Sequence, residues 1–248
     1  MSGHSKWSQI KRKKSVTDRN RGRLFTRLIR EIQIAARLGG SDPEGNPRLR
    51  FAIEQAKKSS MPADNIKRAI ARGAGGEGAT ALVEGSYEIY GPGGVAIIVE
   101  TATDNKNRTV GEIRHVLGKY GGNLAESGSV SWMFSKTGIL IIPRDAISEE
   151  RLLELALDAG AEDLRTDDPE FFELRAAPED FERVRDSLTE ASVPIEDAKI
   201  AMVPATLVAV SGSDAAKLTR MIEALEENDD VQDVFSNADI DEATLEEA

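Results

Sequence analysis

Apolar residues recur at helical spacing through the first third of the chain, and at strand spacing after it. Thr17 and Asp18 are N-cap candidates, and behind them Leu24, Phe25, Leu28, Ile29, Ile32, Ala35 and Ala36 form one stripe. Gly39-Gly40 ends that helix. Asn46-Pro47 opens a second, because proline is tolerated where the first N–H has no partner anyway; its stripe is Leu49, Ile53 and Ala56. Ser60-Met61-Pro62 opens a third, with Ile66, Ala69 and Ile70 inward and Gly73 at its end. Short connections predict a three-helix bundle, and the glycine-rich stretch 73–78 reads as a linker.

Beyond residue 80 the pattern predicts strands at 87–90 and 95–101 around the turn Gly91-Pro92-Gly93-Gly94, a helix at 109–120 and a strand at 130–134. Residues 136–203 then read strand, helix, strand, strand, helix, strand, the order of a ferredoxin-like unit. Strand, helix, strand follow at 206–210, 213–225 and 231–235. Neither flanking half makes a stable sheet alone. The expected fold class is therefore multidomain α and α+β: an N-terminal three-helix bundle, then two α+β domains, one ferredoxin-like unit inserted in the other. The expected boundaries are 1–78 for the bundle, 79–135 plus 204–238 for the discontinuous domain, 136–203 for the insert and 239–248 for an acidic tail that frays.

Charge changes the picture more than composition does. The 248 residues carry a net −11, yet residues 1–72 hold 18 Lys and Arg against 6 Asp and Glu, a net +12. The remainder holds 14 against 37, a net −23. A polyanion should therefore meet the N-terminal face first. Cysteine is absent, which removes disulfides, zinc–thiolate centres and a thiol nucleophile. No apolar run has the length of a membrane span and no secretory h-region follows the basic start, so the cytoplasm is the expected location.

The candidate chemistry lies in the leading segment. Lys6, Trp7, Lys11, Arg12, Lys13, Lys14, Arg19, Arg21, Arg23, Arg27 and Arg30 supply ten cations within the first 30 residues, opposed by Asp18 alone. Phosphate neutralisation by such groups releases counterions, Arg adds bidentate contacts, and Trp7 offers a stacking face. Nucleic acid is the expected partner, and basic clusters attract DNA and RNA alike. No helix carries a clear base-reading pattern, so backbone contacts are expected to dominate. The loop Asn105, Lys106, Asn107 and Arg108 is a second candidate, although turn chemistry and capping by Asn107 or Thr109 explain it more simply. Gly121-Gly122-Asn123 and Ser127-Gly128-Ser129 are read the same way. An enzyme is not expected: His4 lies in a segment without an apolar stripe, His115 sits beside Arg114 on a helix, and Gly91-Pro92-Gly93-Gly94 lacks the spacing of a phosphate loop. Glu162, Asp163, Asp167 and Asp168 lack metal-loop spacing, and no metal or cofactor is expected.

Several blocks, in order, resemble YebC-type proteins: Gly3-His4-Ser5-Lys6-Trp7, Phe25-Thr26-Arg27-Leu28-Ile29-Arg30-Glu31-Ile32 and Asn46-Pro47-Arg48-Leu49-Arg50. Tyr90-Gly91-Pro92-Gly93-Gly94-Val95-Ala96, Asp104-Asn105-Lys106-Asn107-Arg108-Thr109, Gly121-Gly122-Asn123-Leu124, Glu126-Ser127-Gly128-Ser129-Val130 and Trp132-Met133-Phe134 continue the likeness. The resemblance implies a helical bundle with two α+β domains, one inserted in the other. It also implies a bacterial cytoplasmic protein described as a DNA-binding transcriptional regulator. Mitochondrial relatives resemble translational activators for a cytochrome oxidase subunit, and bacterial ones are linked to stalled ribosomes. A ribosome- or RNA-associated translation factor is therefore the alternative expectation.

Overall fold

The computed structural model describes residues 18–240 apart from Glu77 and Thr80, with side chains from residue 21 onward. The chain divides into two compact units, one formed by 132–206 and the other by the segments before and after it.

In the larger unit, helices α1 (Asp18–Gly39), α2 (Pro47–Lys58) and α3 (Ala63–Gly73) close on Ile32, Ala35, Ala36, Leu49, Ala52, Ile53, Ala56, Met61, Ile66 and Ala69. Asn46 fixes the corner between α1 and α2. Its Oδ1 accepts from the Leu49 amide at 3.1 Å, capping α2, while its Nδ2 donates to the Ala35 and Gly40 carbonyls at 2.8 Å each. One buried amide thus serves both helix ends, which otherwise leave orphan backbone groups. The end of α3 lies hard against α1: a Cβ on Gly73 would sit 2.4 Å from the Gln33 carbonyl oxygen and 2.9 Å from the Ala36 methyl.

The same unit holds the antiparallel strands β1 (Val83–Tyr90) and β2 (Ala96–Thr103), helix α4 (Lys106–Tyr120) and the two-residue β3 (Asn123–Leu124). After the intervening unit come β8 (Val208–Val210), α7 (Gly212–Glu226), β9 (Val231–Ser236) and β10 (Ala238–Ile240). The sheet order is β3-β1-β2-β9, and β8 and β10 pair in parallel beside it. β2 is central and almost wholly buried, its first half an apolar run from Ala96 to Val99, and α4 and α7 supply Ile113, Leu117, Leu218, Met221 and Ile222 to the core with Ile89, Ile97 and Val99. Each fully buried aliphatic side chain of this kind contributes about 1.5–3 kcal/mol.

The smaller unit contains β4 (Phe134–Pro143), α5 (Glu149–Asp158), β5 (Ala161–Arg165), β6 (Phe171–Ala176), α6 (Phe181–Glu190) and β7 (Asp197–Pro204). Its all-antiparallel order β5-β6-β4-β7 is that of a ferredoxin-like sheet. Gly138 admits α6 to this sheet, since a Cβ there would meet the Phe181 ring at 2.6 Å.

Two expectations change. Residues 130–134 do not form a strand of the larger sheet; a 3-10 turn at Ser131–Met133 leads straight into β4, which pairs with β7 from Phe134 to Ile141. The place at the outer edge of β1 is taken by β3. The last segment is not frayed from residue 239, because Asp239 and Ile240 continue the pairing of β10 with β8 through Ala209 and Val210.

Candidate nucleic-acid interface

Lys6, Trp7, Lys11, Arg12, Lys13 and Lys14 lie outside the described residues, and Arg19 falls in α1 with its side chain outside them. Arg21 is exposed on the first turns of α1. The other three cations of the predicted cluster lie on the flank of α1 that faces the second half of the chain. Arg23 pairs with the Glu227 carboxylate at 2.9 Å, and Arg27 Nη2 donates to the Glu226 carbonyl at 2.5 Å. Arg30 Nη1 donates to the Ala102 carbonyl and to Asp230 Oδ1, the latter at 2.5 Å. Spacings of four and three residues put all three on one side of the helix. The apolar stripe of α1 meanwhile faces α2 and α3, and Ile34 makes a separate small contact with Leu82 and Ala102. This corrects the expectation of a free cationic row: the guanidinium groups of Arg23, Arg27 and Arg30 are already engaged by the acidic turn between α7 and β9.

Asp230 is the centre of that junction. It is buried, and its carboxylate receives Arg30, Arg108 Nη2 at 2.7 Å, Thr109 Oγ1 at 2.7 Å and Thr103 Oγ1 at 3.0 Å. Burial alone pushes the carboxyl pKa upward, but hydrogen bonds from Thr109, Arg108 and Arg30 outweigh it and hold the value down at about 2. Asp230 is therefore ionised at any physiological pH. Its backbone is fixed as well, the carbonyl accepting from the Ala102 amide at 2.8 Å and the amide donating to Asn228 Oδ1 at 2.8 Å.

The second predicted site shares this carboxylate. Asn105 caps α4, its Oδ1 accepting from the Arg108 amide at 3.1 Å, so the helix starts earlier than a cap at Asn107 or Thr109 requires. Arg108 bridges Asp104 at 2.9 Å and Asp230, and these partners raise its pKa, chiefly through the hydrogen bond to Asp230. Lys106 and Asn107 are exposed. Of the four loop residues, Asn105 and Arg108 hold the fold, and Lys106 and Asn107 face solvent.

Local chemistry accounts for the remaining polar loops too. Glu88 on β1 accepts from the amides of Gly128, Val130 and Ser131 at 2.7, 2.6 and 2.9 Å. Partial burial raises its pKa, and these three amides more than reverse that, leaving it below the ordinary value. The amide cluster of the Ser127–Ser129 loop is thus filled by the chain's own carboxylate. Arg48 bridges Glu31 at 2.6 Å and Glu84 at 2.7 Å, tying α2 to α1 and β1, and its pKa is raised mainly by the hydrogen bond to Glu31. His115 is exposed on α4. In the smaller unit Asp163 pairs with Arg165, and Asp168 Oδ1 accepts from the amides of Glu170 and Phe171, closing a turn. Among the described residues no group of three His, Asp or Glu side chains is placed to hold a metal ion, and no helix is long and apolar enough to cross a membrane.

Nothing local in the sequence marks Asp230 apart from its neighbour Asp229; only the positions of its partners do.

The family model for the TACO1/YebC N-terminal domain matches residues 5–76, and the one for the TACO1/YebC second and third domain matches residues 82–238. A probable transcriptional regulatory protein of Chlorobaculum tepidum is 56% identical over 99% of this chain and 98% of its own length. One from Desulforamulus reducens is 54% identical over 96% of this chain and 98% of its own. The crystal structure of a conserved hypothetical protein from Aquifex aeolicus superposes with a TM-score of 0.83 at 48% identity, covering 91% of this chain and 93% of that one.

Proposed function

Because the chain belongs to the TACO1/YebC family, whose similar members carry the name of probable transcriptional regulatory proteins, we propose that it regulates transcription in the cytoplasm by binding DNA through its basic N-terminal segment. The observation that carries this reading is the charge division, net +12 over residues 1–72 against net −23 over the rest. Lys6, Trp7, Lys11, Arg12, Lys13, Lys14, Arg19 and Arg21 are the phosphate- and base-contacting groups of this reading, with Lys106 and Asn107 as a secondary contact. Arg23, Arg27 and Arg30 are withdrawn from it, since they stabilise the junction at Asp230. In this division of labour residues 1–78 grip nucleic acid, 79–135 with 204–238 anchor the bundle, and 136–203 meet a further partner. Contacts to the backbone dominate, so sequence preference is modest.

A second reading, a ribosome- or RNA-associated translation factor, is favoured by the same charge division, because the acidic remainder suits basic protein surfaces. Fluorescence anisotropy with a labelled DNA duplex, run beside ribosome co-sedimentation at equal salt, separates the two. With about five phosphates neutralised on duplex DNA, the log–log salt slope is about −4.5. Duplex binding unaffected by replacing Lys11, Arg12, Lys13 and Lys14 with alanine would remove the leading segment from the mechanism.

A further inference from the structure

The ion-paired arginines of α1 contrast with cations that form no ion pair among the described residues. Most described arginines outside the bundle have a carboxylate partner: Arg108, Arg151, Arg165, Arg175, Arg183 and Arg185. That is the expected behaviour of a chain with 43 acidic residues against 32 basic ones. Helix α3 departs from it. Lys67, Arg68 and Arg72 are exposed on its solvent side, opposite the buried Ile66 and Ala69, and none forms an ion pair among the described residues. The helix has one acidic residue, Asp64, in its first turn, where the helix dipole accommodates it.

Two further features make this a surface and not three isolated side chains. Arg68 is oriented: its Nε donates to the Asp64 carbonyl at 3.2 Å and its Nη2 to Asn65 Oδ1 at 2.5 Å, leaving further N–H donors of the fork unused. The close approach of Gly73 to Gln33 and Ala36 also brings the end of α3 against the last turns of α1, where Arg37 is exposed and likewise forms no ion pair among the described residues. Arg68 and Arg72 stand one helical turn apart, about 6 Å along the axis, with Lys67 beside them.

We propose that Lys67, Arg68, Arg72 and Arg37 form a phosphodiester-binding face on the bundle, distinct from the leading segment, that takes the backbone of a duplex nucleic acid. The proposal rests on the nucleic-acid reading above and adds a rigid, folded contact to it. The ligand chemistry is a row of phosphate diesters, so DNA and RNA duplexes of one sequence are separate arms of the test. A preformed cationic face loses less side-chain freedom on binding than a segment without a core stripe, and so it sets the register in which the duplex lies.

The experiment uses the full chain and three variants: K67A/R68A/R72A, the leading-segment variant K11A/R12A/K13A/K14A, and the junction variant R23A/R27A. Anisotropy titrations with 20-base-pair DNA and RNA duplexes run from low to moderate salt, with circular dichroism melting to check the fold. Three lost contacts flatten the log–log salt slope by about 2.7 on DNA and weaken binding at least about tenfold near 0.1 M salt. R23A/R27A is expected to keep the wild-type slope. If K67A/R68A/R72A keeps both affinity and slope while the leading-segment variant loses them, the α3 face is overturned and the nucleic-acid reading stands. If the wild-type chain binds neither duplex, both fall. A larger loss on one duplex than on the other identifies which nucleic acid the face takes.

Discussion

Replacing Asp230 with asparagine tests the junction that holds the bundle to the sheet. The substitution keeps the shape of the side chain but removes the charge that Arg30 and Arg108 share. The carboxyl is held at about 2 against an ordinary 3.8, a depression equivalent to ~2.5 kcal/mol of preference for the ionised form in the folded state. Stranding a buried partner raises the cost, since breaking a buried ion pair typically costs about 3–5 kcal/mol. Arg108 keeps Asp104 and remains partly solvated, which lowers it again. The expected loss is ~2–4 kcal/mol, measured as the shift of the urea midpoint of the larger unit, with the transition of the 132–206 unit unmoved. The pH dependence has a definite sign. The folded pKa lies below the unfolded one, so Asp230 stabilises fully above about pH 4, and its contribution fades as pH falls from about 4 through about 2. The gap between wild type and D230N should be constant from pH 5 to 8 and narrow below 4. A variant within 0.5 kcal/mol of wild type at pH 7, or a gap indifferent to acid, would refute the reasoning.

Three other outcomes follow from the geometry. G73A forces a methyl to within 2.4 Å of the Gln33 carbonyl and should lower stability by about 1–3 kcal/mol, read as a drop in melting temperature; an unchanged melt means α1 and α3 separate easily. E88Q removes one of the two acceptor oxygens that hold the amides of Gly128, Val130 and Ser131; hydrogen exchange should speed up at those amides and not in α4, and in the wild type the same amides should loosen as acid protonates Glu88. R23A should change stability by no more than about 1 kcal/mol, because Glu227 is half exposed and such pairs are weak; a much larger loss in denaturant titration would show that Arg23 does more than its single ion pair.

How far the fold was legible depended on how local its causes are. The stops and starts of the bundle could be read because Gly39-Gly40, Asn46-Pro47, Ser60-Met61-Pro62 and Gly73 act within a turn or two of themselves. The double duty of Asn46 could not, since it depends on Ala35 and Gly40 lying within reach of its amide. The run Val130-Ser131-Trp132-Met133-Phe134 has strand composition, yet Glu88, about 40 residues earlier in the chain, captures its leading amides and turns it. The partners of the α1 arginines are hidden in the sequence for the same reason on a larger scale. Its partners Glu226, Glu227 and Asp230 come about 200 residues later, and an acidic turn at that distance looks like solvating charge. Sequence alone does not single out Asn105 as the cap of α4, because Asn107 and Thr109 are equally good capping types.

The interruption of the larger unit has a consequence for synthesis. β2 is complete at Thr103, but its neighbour β9 begins at Val231, almost 130 residues later. At roughly 5–20 residues per second a ribosome takes on the order of 6–25 s to cover that span. Throughout it the central strand keeps one ladder of N–H and C=O groups unmatched, and Arg23, Arg27 and Arg30 wait without the acidic turn that will receive them. Until that turn emerges the three guanidinium groups lack their acidic partners, beside a ribosome made largely of RNA. Emergence of Glu226–Ser236 supplies both the missing strand and the partners of the helix.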